Sequence, residues 1–262
     1  MKRSLIVLFV LAAMCLAVTA QAEDSWQKVQ AKGEMVIGLD DAFPPMGFRT
    51  DDGKLVGFDI DAAEEAGRRL GIKIVWQPTA WEGVINSLNS NKFDAIWNGM
   101  TITEDRAKQV LFTKPYMMDG QIALVRMDEK NLKQLTDLGG KNIGVQAGSS
   151  AVEAAKALPA APAQVREYDD NPKAFLDLES GRLDAVVADN LSGLYFTAAQ
   201  PGKYKSLPGF ITKEPFGVAF RKNDVSLRDK IQETIDAMIA DGTMAKISIK
   251  WFGEDITNPE NF

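Results

Sequence analysis

The run Trp97 to Arg106, WNGMTITEDR, carries the side chains best suited to chemistry. Gly99 permits close approach to the backbone, Thr101 and Thr103 offer hydroxyls, and Thr103 can cap a helix whose first turn holds Glu104, Asp105 and Arg106. Free amides at a helix start, the positive end of its dipole and a planar guanidinium together suit a carboxylate or a phosphate. An ordinary strand-loop-helix connection with an exposed arginine accounts for the same ten residues.

Three other stretches put polar groups at strand ends. Asp40, Asp41 and Phe43 follow the apolar run Met35–Leu39 and precede Pro44-Pro45, a position where open α/β sheets hold ligands. A solvated acidic turn with Phe43 in the core reads equally well. Ala147-Gly148-Ser149-Ser150 opens a helix after the strand Asn142–Gln146 with small residues, hydroxyls and amides. It lacks the lysine and glycine spacing of a Walker phosphate loop. Asp189 ends the apolar run Leu183–Ala188, either as a ligand carboxylate or as the cap of the next helix.

The elements that must position these groups alternate. Strand Met35–Leu39 is followed by a helix from about Asp59 to Leu70, with Ile60, Ala63, Ala66 and Leu70 on one face and Gly71 as its stop. Strand Ile72–Trp76, helix Trp81–Asn89 and strand Phe93–Trp97 come next. After strand Gln121–Arg126 the pattern starts again at Asn142, through strands Gln164–Tyr168 and Leu183–Ala188 and helices Ala151–Leu158, Lys173–Glu179 and Leu191–Ala199. A late strand, Phe216–Phe220, precedes the helices Ser226–Ala240 and Met244–Trp251. Strands alternating with helices imply parallel βαβ units. Pro159-Ala160-Ala161-Pro162 reads as a surface loop because the pattern runs on through it.

Lys2 and Arg3, the apolar run Leu5–Leu16 and Ala20-Gln21-Ala22 read as a secretory signal peptide over residues 1–22. The apolar run is too short to span a bilayer. Cys15 raises a lipoprotein as an alternative, but bulky Met14 precedes it where such sites want a small residue. Cleavage after Ala22 leaves 28 basic against 36 acidic residues, a net charge of −8, and removes the only cysteine. An acidic chain has no basic surplus to neutralise phosphates, which speaks against nucleic acid. With no histidine in the chain, Ser-His and Cys-His catalysis and the usual zinc ligand sets are excluded, so no cofactor or metal is expected.

Gly57-Phe58-Asp59-Ile60-Asp61, placed after a strand that ends in Asp41-Ala42-Phe43-Pro44-Pro45, resembles the signature of the periplasmic amino-acid-binding proteins of ABC importers, the family 3 solute-binding proteins. The likeness extends over Gly99 to Thr103 with Arg106, Phe112 to Tyr116, Gly144 to Ser150, Asp184 to Asp189 and Lys250 to Gly253. Ala62 departs from it, since the family usually has a larger apolar residue there. The resemblance implies a type II periplasmic-binding-protein fold: two α/β lobes joined by two hinge strands, closing on a ligand between them. Lobe 1 is expected at 23–121 and 218–262, lobe 2 at 126–213, and the hinge strands at 121–126 and 216–220.

By the same resemblance, Arg106 takes a ligand α-carboxylate, helped by amides near Thr101 and by Ser149 and Ser150. Asp189 takes the α-ammonium with the Gly99 carbonyl and the Thr101 hydroxyl. Phe43 and Trp81 sandwich the side chain, and Asp40, Asn98 and Gln146 read its tip. The implied function is non-enzymatic: a monomeric periplasmic protein that delivers a polar L-amino acid, glutamine or a basic one first and cystine next, to an inner-membrane ABC permease. The alternatives are a secreted enzyme of the cyclohexadienyl dehydratase kind, and a ligand sensor acting through a separate partner.

Overall fold

The computed structural model describes residues 24–261; the expected signal peptide lies outside them. Two five-stranded sheets form the frame. In the first, the spatial order is Lys73–Pro78, Glu34–Leu39, Ala95–Ile96, Ala219–Phe220, Leu111–Phe112; in the second it is Gln164–Tyr168, Asn142–Gln146, Ala185–Asp189, Gln121–Arg126, Tyr204–Ser206. The first three strands of each are parallel, as the alternating pattern demands. The last two pairings in each are antiparallel. The fourth strand of each sheet comes from the chain just after it crosses from the other half. This is the two-lobed α/β arrangement expected.

The strands read as continuous apolar runs because both faces of each sheet are covered. In the second sheet, Ala185 and Val187 face one core with Val145 and Leu138, while Val186 and Ala188 face another with Phe175 and Leu178. In the first lobe the helix Val225–Ala240 buries Leu227, Ile231, Ile235 and Met238 against the core that holds Met35, Ile37 and Phe220. Each such aliphatic side chain contributes roughly 1.5–3 kcal/mol on burial.

Three features differ from the sequence reading. The helix Ser25–Lys32 has no apolar period, with Val29 its one buried residue; Asp24 starts it by accepting the Gln27 N–H at 2.8 Å. Ala42–Phe43, Gly47–Arg49 and Leu55–Val56 form a small three-stranded meander in place of an extended loop. The segments expected as hinge strands also pair within the sheets. Gln121–Arg126 lies inside the second sheet, with Gln121 to Val125 buried and ladders on both sides. Residues 216–220 divide between two sheets. What runs between the lobes is a two-stranded ribbon, Met117–Asp119 against Glu214–Phe216, with Glu214 opposite Asp119.

Candidate functional site

Between the two sheets lies a small cleft. Its wall brings together Asp40, Phe43, Trp81, Asn98, Gly99, Thr101 and Arg106 from one lobe and Gln146, Ser149, Ser150 and Asp189 from the other. These are all eleven residues singled out above.

Asp40 sits at the carboxyl end of Glu34–Leu39. Its N–H donates to Asn98 Oδ1 at 2.9 Å, and its carboxylate accepts from the Ala42 N–H at 2.9 Å and, across the cleft, from Gln146 Nε2 at 2.6 Å. Burial raises its pKa, and the two hydrogen bonds oppose that rise. Phe43 and Trp81 are both buried and line the space with their rings.

Gly99 adopts φ 55°, and a Cβ there would stand 2.8 Å from the Phe43 ring, so no larger residue fits. Behind it, Asp59 is fully buried and accepts the Gly99 N–H at 2.6 Å and the Tyr116 O–H at 2.9 Å. Burial pushes that carboxyl up to about 7, against the pull of both bonds. Thr103 caps the helix Glu104–Gln109, its Oγ1 accepting from the Arg106 N–H at 3.2 Å. The guanidinium then reaches back into the space. It donates to the Thr101 carbonyl and, in the other lobe, to the Gly148 carbonyl, each at 3.0 Å, with its carbon 5.7 Å from the Trp81 ring centre. Two of its five N–H donors are thereby used.

On the opposite wall, the turn after Asn142–Gln146 passes through Gly148 at φ 70° and is tied by Ser149 Oγ donating to the Gln146 carbonyl at 2.7 Å. Ser150 Oγ lies 3.2 Å from Thr101 Oγ1 across the cleft. Asp189 holds the cap position of the helix Asn190–Ala199 but makes no capping bond with its side chain. Its carboxylate instead accepts from Gln121 Nε2 at 2.9 Å. Burial, and after it the Glu214 carboxylate, push Asp189 up to about 7.

Four acids and amides around the site escaped the sequence reading. Glu214 and Gln121 are buried beside Asp189 and Ser150, and Asp119 is buried within reach of the Asp189 charge. Asp59 lies in the Gly57–Asp61 motif, which is the one signal that could have marked it; nothing in the polar stretch Thr212-Lys213-Glu214-Pro215 marks Glu214. Among the described residues no cluster of histidine, cysteine, aspartate and glutamate is suited to a metal ion. The wall offers one guanidinium, carboxylates and two aromatic faces, an arrangement complementary to a small zwitterion.

The description of bacterial extracellular solute-binding proteins, family 3, matches residues 35–254. The chain is 35% identical over 231 residues to the L-cystine-binding protein TcyJ of Escherichia coli (strain K12), spanning 88% of this chain and 86% of that protein. It is 35% identical over 228 residues to the L-arginine-binding protein of Pseudomonas aeruginosa, spanning 84% and 88%. Among solved structures, an ABC uptake transporter substrate-binding protein from Streptococcus pneumoniae with bound histidine is similar with a TM-score of 0.85 and 33% identity, over 90% of this chain and 98% of that one.

Proposed function

The chain belongs to the bacterial extracellular solute-binding proteins of family 3, and on that premise we propose that it binds a polar L-amino acid between its lobes for delivery to an ABC permease. One observation carries the reading: Arg106 and Asp189 line a single space whose apolar faces are Phe43 and Trp81. A zwitterion needs one fixed cation, one fixed anion and an apolar slot, and closure makes any unmatched charge costly. In this assignment Arg106 holds the α-carboxylate and Asp189 the α-ammonium. Asp40, Asn98 and Gln146 contact the side-chain tip. Closure turns on the ribbon Met117–Asp119 with Glu214–Phe216, so lobe 1 runs to 116 and resumes at 217 while lobe 2 spans 120–213.

A basic side chain or glutamine comes first and cystine next. Asp40 at the tip favours an amide or a cation, and the wall brings no second basic residue to receive an acidic side chain. The named relatives bind cystine and arginine, and the solved neighbour holds histidine. Micromolar binding requires about −8 kcal/mol, within reach of two charge-assisted contacts and one buried slot. The protein is proposed to act in the periplasm as a monomer, with no nucleic-acid partner.

A thermal-shift screen of residues 23–262 against the L-amino acids, cystine and ornithine, after refolding to strip carried-over ligand, tests this. A ligand at a hundred times its Kd adds about 2.7 kcal/mol. A shift with one or a few L-amino acids, lost in Arg106→Ala and Asp189→Ala, is the expected result; no shift with any of them contradicts it. A second reading draws on Asp189, whose pKa near 7 also suits proton transfer by an enzyme of the cyclohexadienyl dehydratase kind. Turnover of a bound ligand would favour that reading.

A further inference from the structure

Glu214 lies at the hinge ribbon, nine-tenths buried, and joins both lobes at the end of the cavity. Its Oε2 accepts from Ser150 Oγ at 2.6 Å in one lobe, from Thr101 Oγ1 at 3.0 Å in the other and from Gln121 Nε2 at 3.3 Å; its Oε1 accepts from Thr212 Oγ1 at 2.6 Å. A hydroxyl has one hydrogen, and an ionised carboxylate can only accept. With Glu214 as acceptor, Thr101 and Ser150 spend their hydrogens on it; Ser150 Oγ also has Gln121 Nε2 and Thr101 Oγ1 each at 3.2 Å, and the remaining lone pairs of the two hydroxyls are left to the cavity they line.

Gln121 makes the second observation. It is fully buried, and its Nε2 lies within donating distance of Asp189 at 2.9 Å, Ser150 Oγ at 3.2 Å and Glu214 at 3.3 Å, yet its Oε1 has no hydrogen-bond partner among the described residues. This end of the cavity is thus rich in acceptors, one of which, Gln121 Oε1, meets no donor among the described residues. The charged groups that face it are Asp119 from one ribbon strand, Glu214 from the other, Asp189 from the second sheet and Arg106, the single cation.

We propose that Glu214 is a further specificity-determining residue of the site, which orients the Thr101 and Ser150 hydroxyls as acceptors and, paired with Asp189, selects a ligand ammonium and rejects a hydroxyl or carboxylate in its place. The inference rests on the amino-acid reading above and deepens it: Ser150 then serves the ammonium rather than the carboxylate. Without an ammonium, Asp189 holds a proton below about pH 7, in line with its rise toward 7 caused by burial and by the Glu214 carboxylate beside it. The incoming ammonium displaces that proton to solvent.

The test uses titration calorimetry with L-arginine, L-glutamine and their α-hydroxy acids, which replace the ammonium with a hydroxyl. The wild-type protein should prefer whichever amino acid it binds over its hydroxy analogue by at least about a hundredfold. Its affinity should rise by up to about tenfold per pH unit between about pH 5.5 and 7, because the proton must leave. In Glu214→Gln the preference should narrow by about tenfold and the pH dependence flatten, since Asp189 loses its repelling neighbour. Equal preference and an equal pH profile in the two proteins would overturn the role of Glu214 while leaving amino-acid binding intact. Failure of the wild type to bind any amino acid would overturn the functional reading and the clamp with it. The wild-type profile and preference need no variant, so a misfolded Glu214→Gln still leaves a decisive result: no pH dependence and no discrimination would refute the proposal.

Discussion

Residues 97–103 and 147–150 each carry the chain from the end of a sheet strand into a helix, and each passes through a glycine in the left-handed region, Gly99 at φ 55° and Gly148 at φ 70°. What presses on those glycines differs. A Cβ at Gly99 would stand 2.8 Å from Phe43 and 3.2 Å from Phe216, whereas a Cβ at Gly148 would stand 2.7 Å from the Glu82 Cα of the opposite lobe. The first close approach is to residues of the first lobe's core; the second spans the two lobes. Under the proposed function the two turns divide between stability and lobe closure.

Alanine at each glycine separates these roles. Gly99→Ala combines strained φ with a clash in its own core, and should lower the stability of the unliganded protein by about 2–3 kcal/mol. Gly148→Ala carries the strain, but opening the lobes relieves its clash. Its unliganded melting temperature should fall by only a few degrees, while ligand affinity drops by about ten- to a hundredfold. Melting curves and calorimetry on both variants check this; similar stability losses in the two would break the distinction.

A pH-dependent contrast concerns Asp59, which pins the first turn from behind through the Gly99 amide. Its folded pKa, about 7, lies above the ordinary value of 3.8. The contribution is therefore fully present below about pH 4 and is lost as pH rises through 7, at up to about 1.4 kcal/mol per pH unit. Asp59→Asn cannot titrate, so denaturant unfolding between about pH 5 and 7 should show a shallower fall in stability than in the wild type. An unchanged slope would show that the charge on Asp59 plays no part.

The sequence made the frame legible because sheets covered on both faces must be written as apolar runs separated by helices, and strands such as Asn142–Gln146 and Gln164–Tyr168 appear where expected. The eleven wall residues were found through a resemblance whose motifs sit at strand ends. Glu214 was illegible for a different reason. It stands in a polar stretch beside Pro215, and only its pairing with Asp119, distant in the chain, buries it at the hinge. That Gln121–Arg126 pairs on both sides inside the second sheet was not legible either, because an apolar strand looks the same whether it links two sheets or lies inside one. For Asp189, local sequence could not separate a cap from a cleft carboxylate; the missing capping bond and the contact with Gln121 separate them.

The central claim is that Arg106 and Asp189 grip the two ends of one amino acid. A crystal structure of the complex with the amino acid that gives the largest thermal shift tests it most directly. The α-carboxylate should lie on the Arg106 guanidinium, the α-ammonium on Asp189, and the side chain between Phe43 and Trp81. A ligand lying outside this space, or with its charged ends elsewhere, would contradict the account.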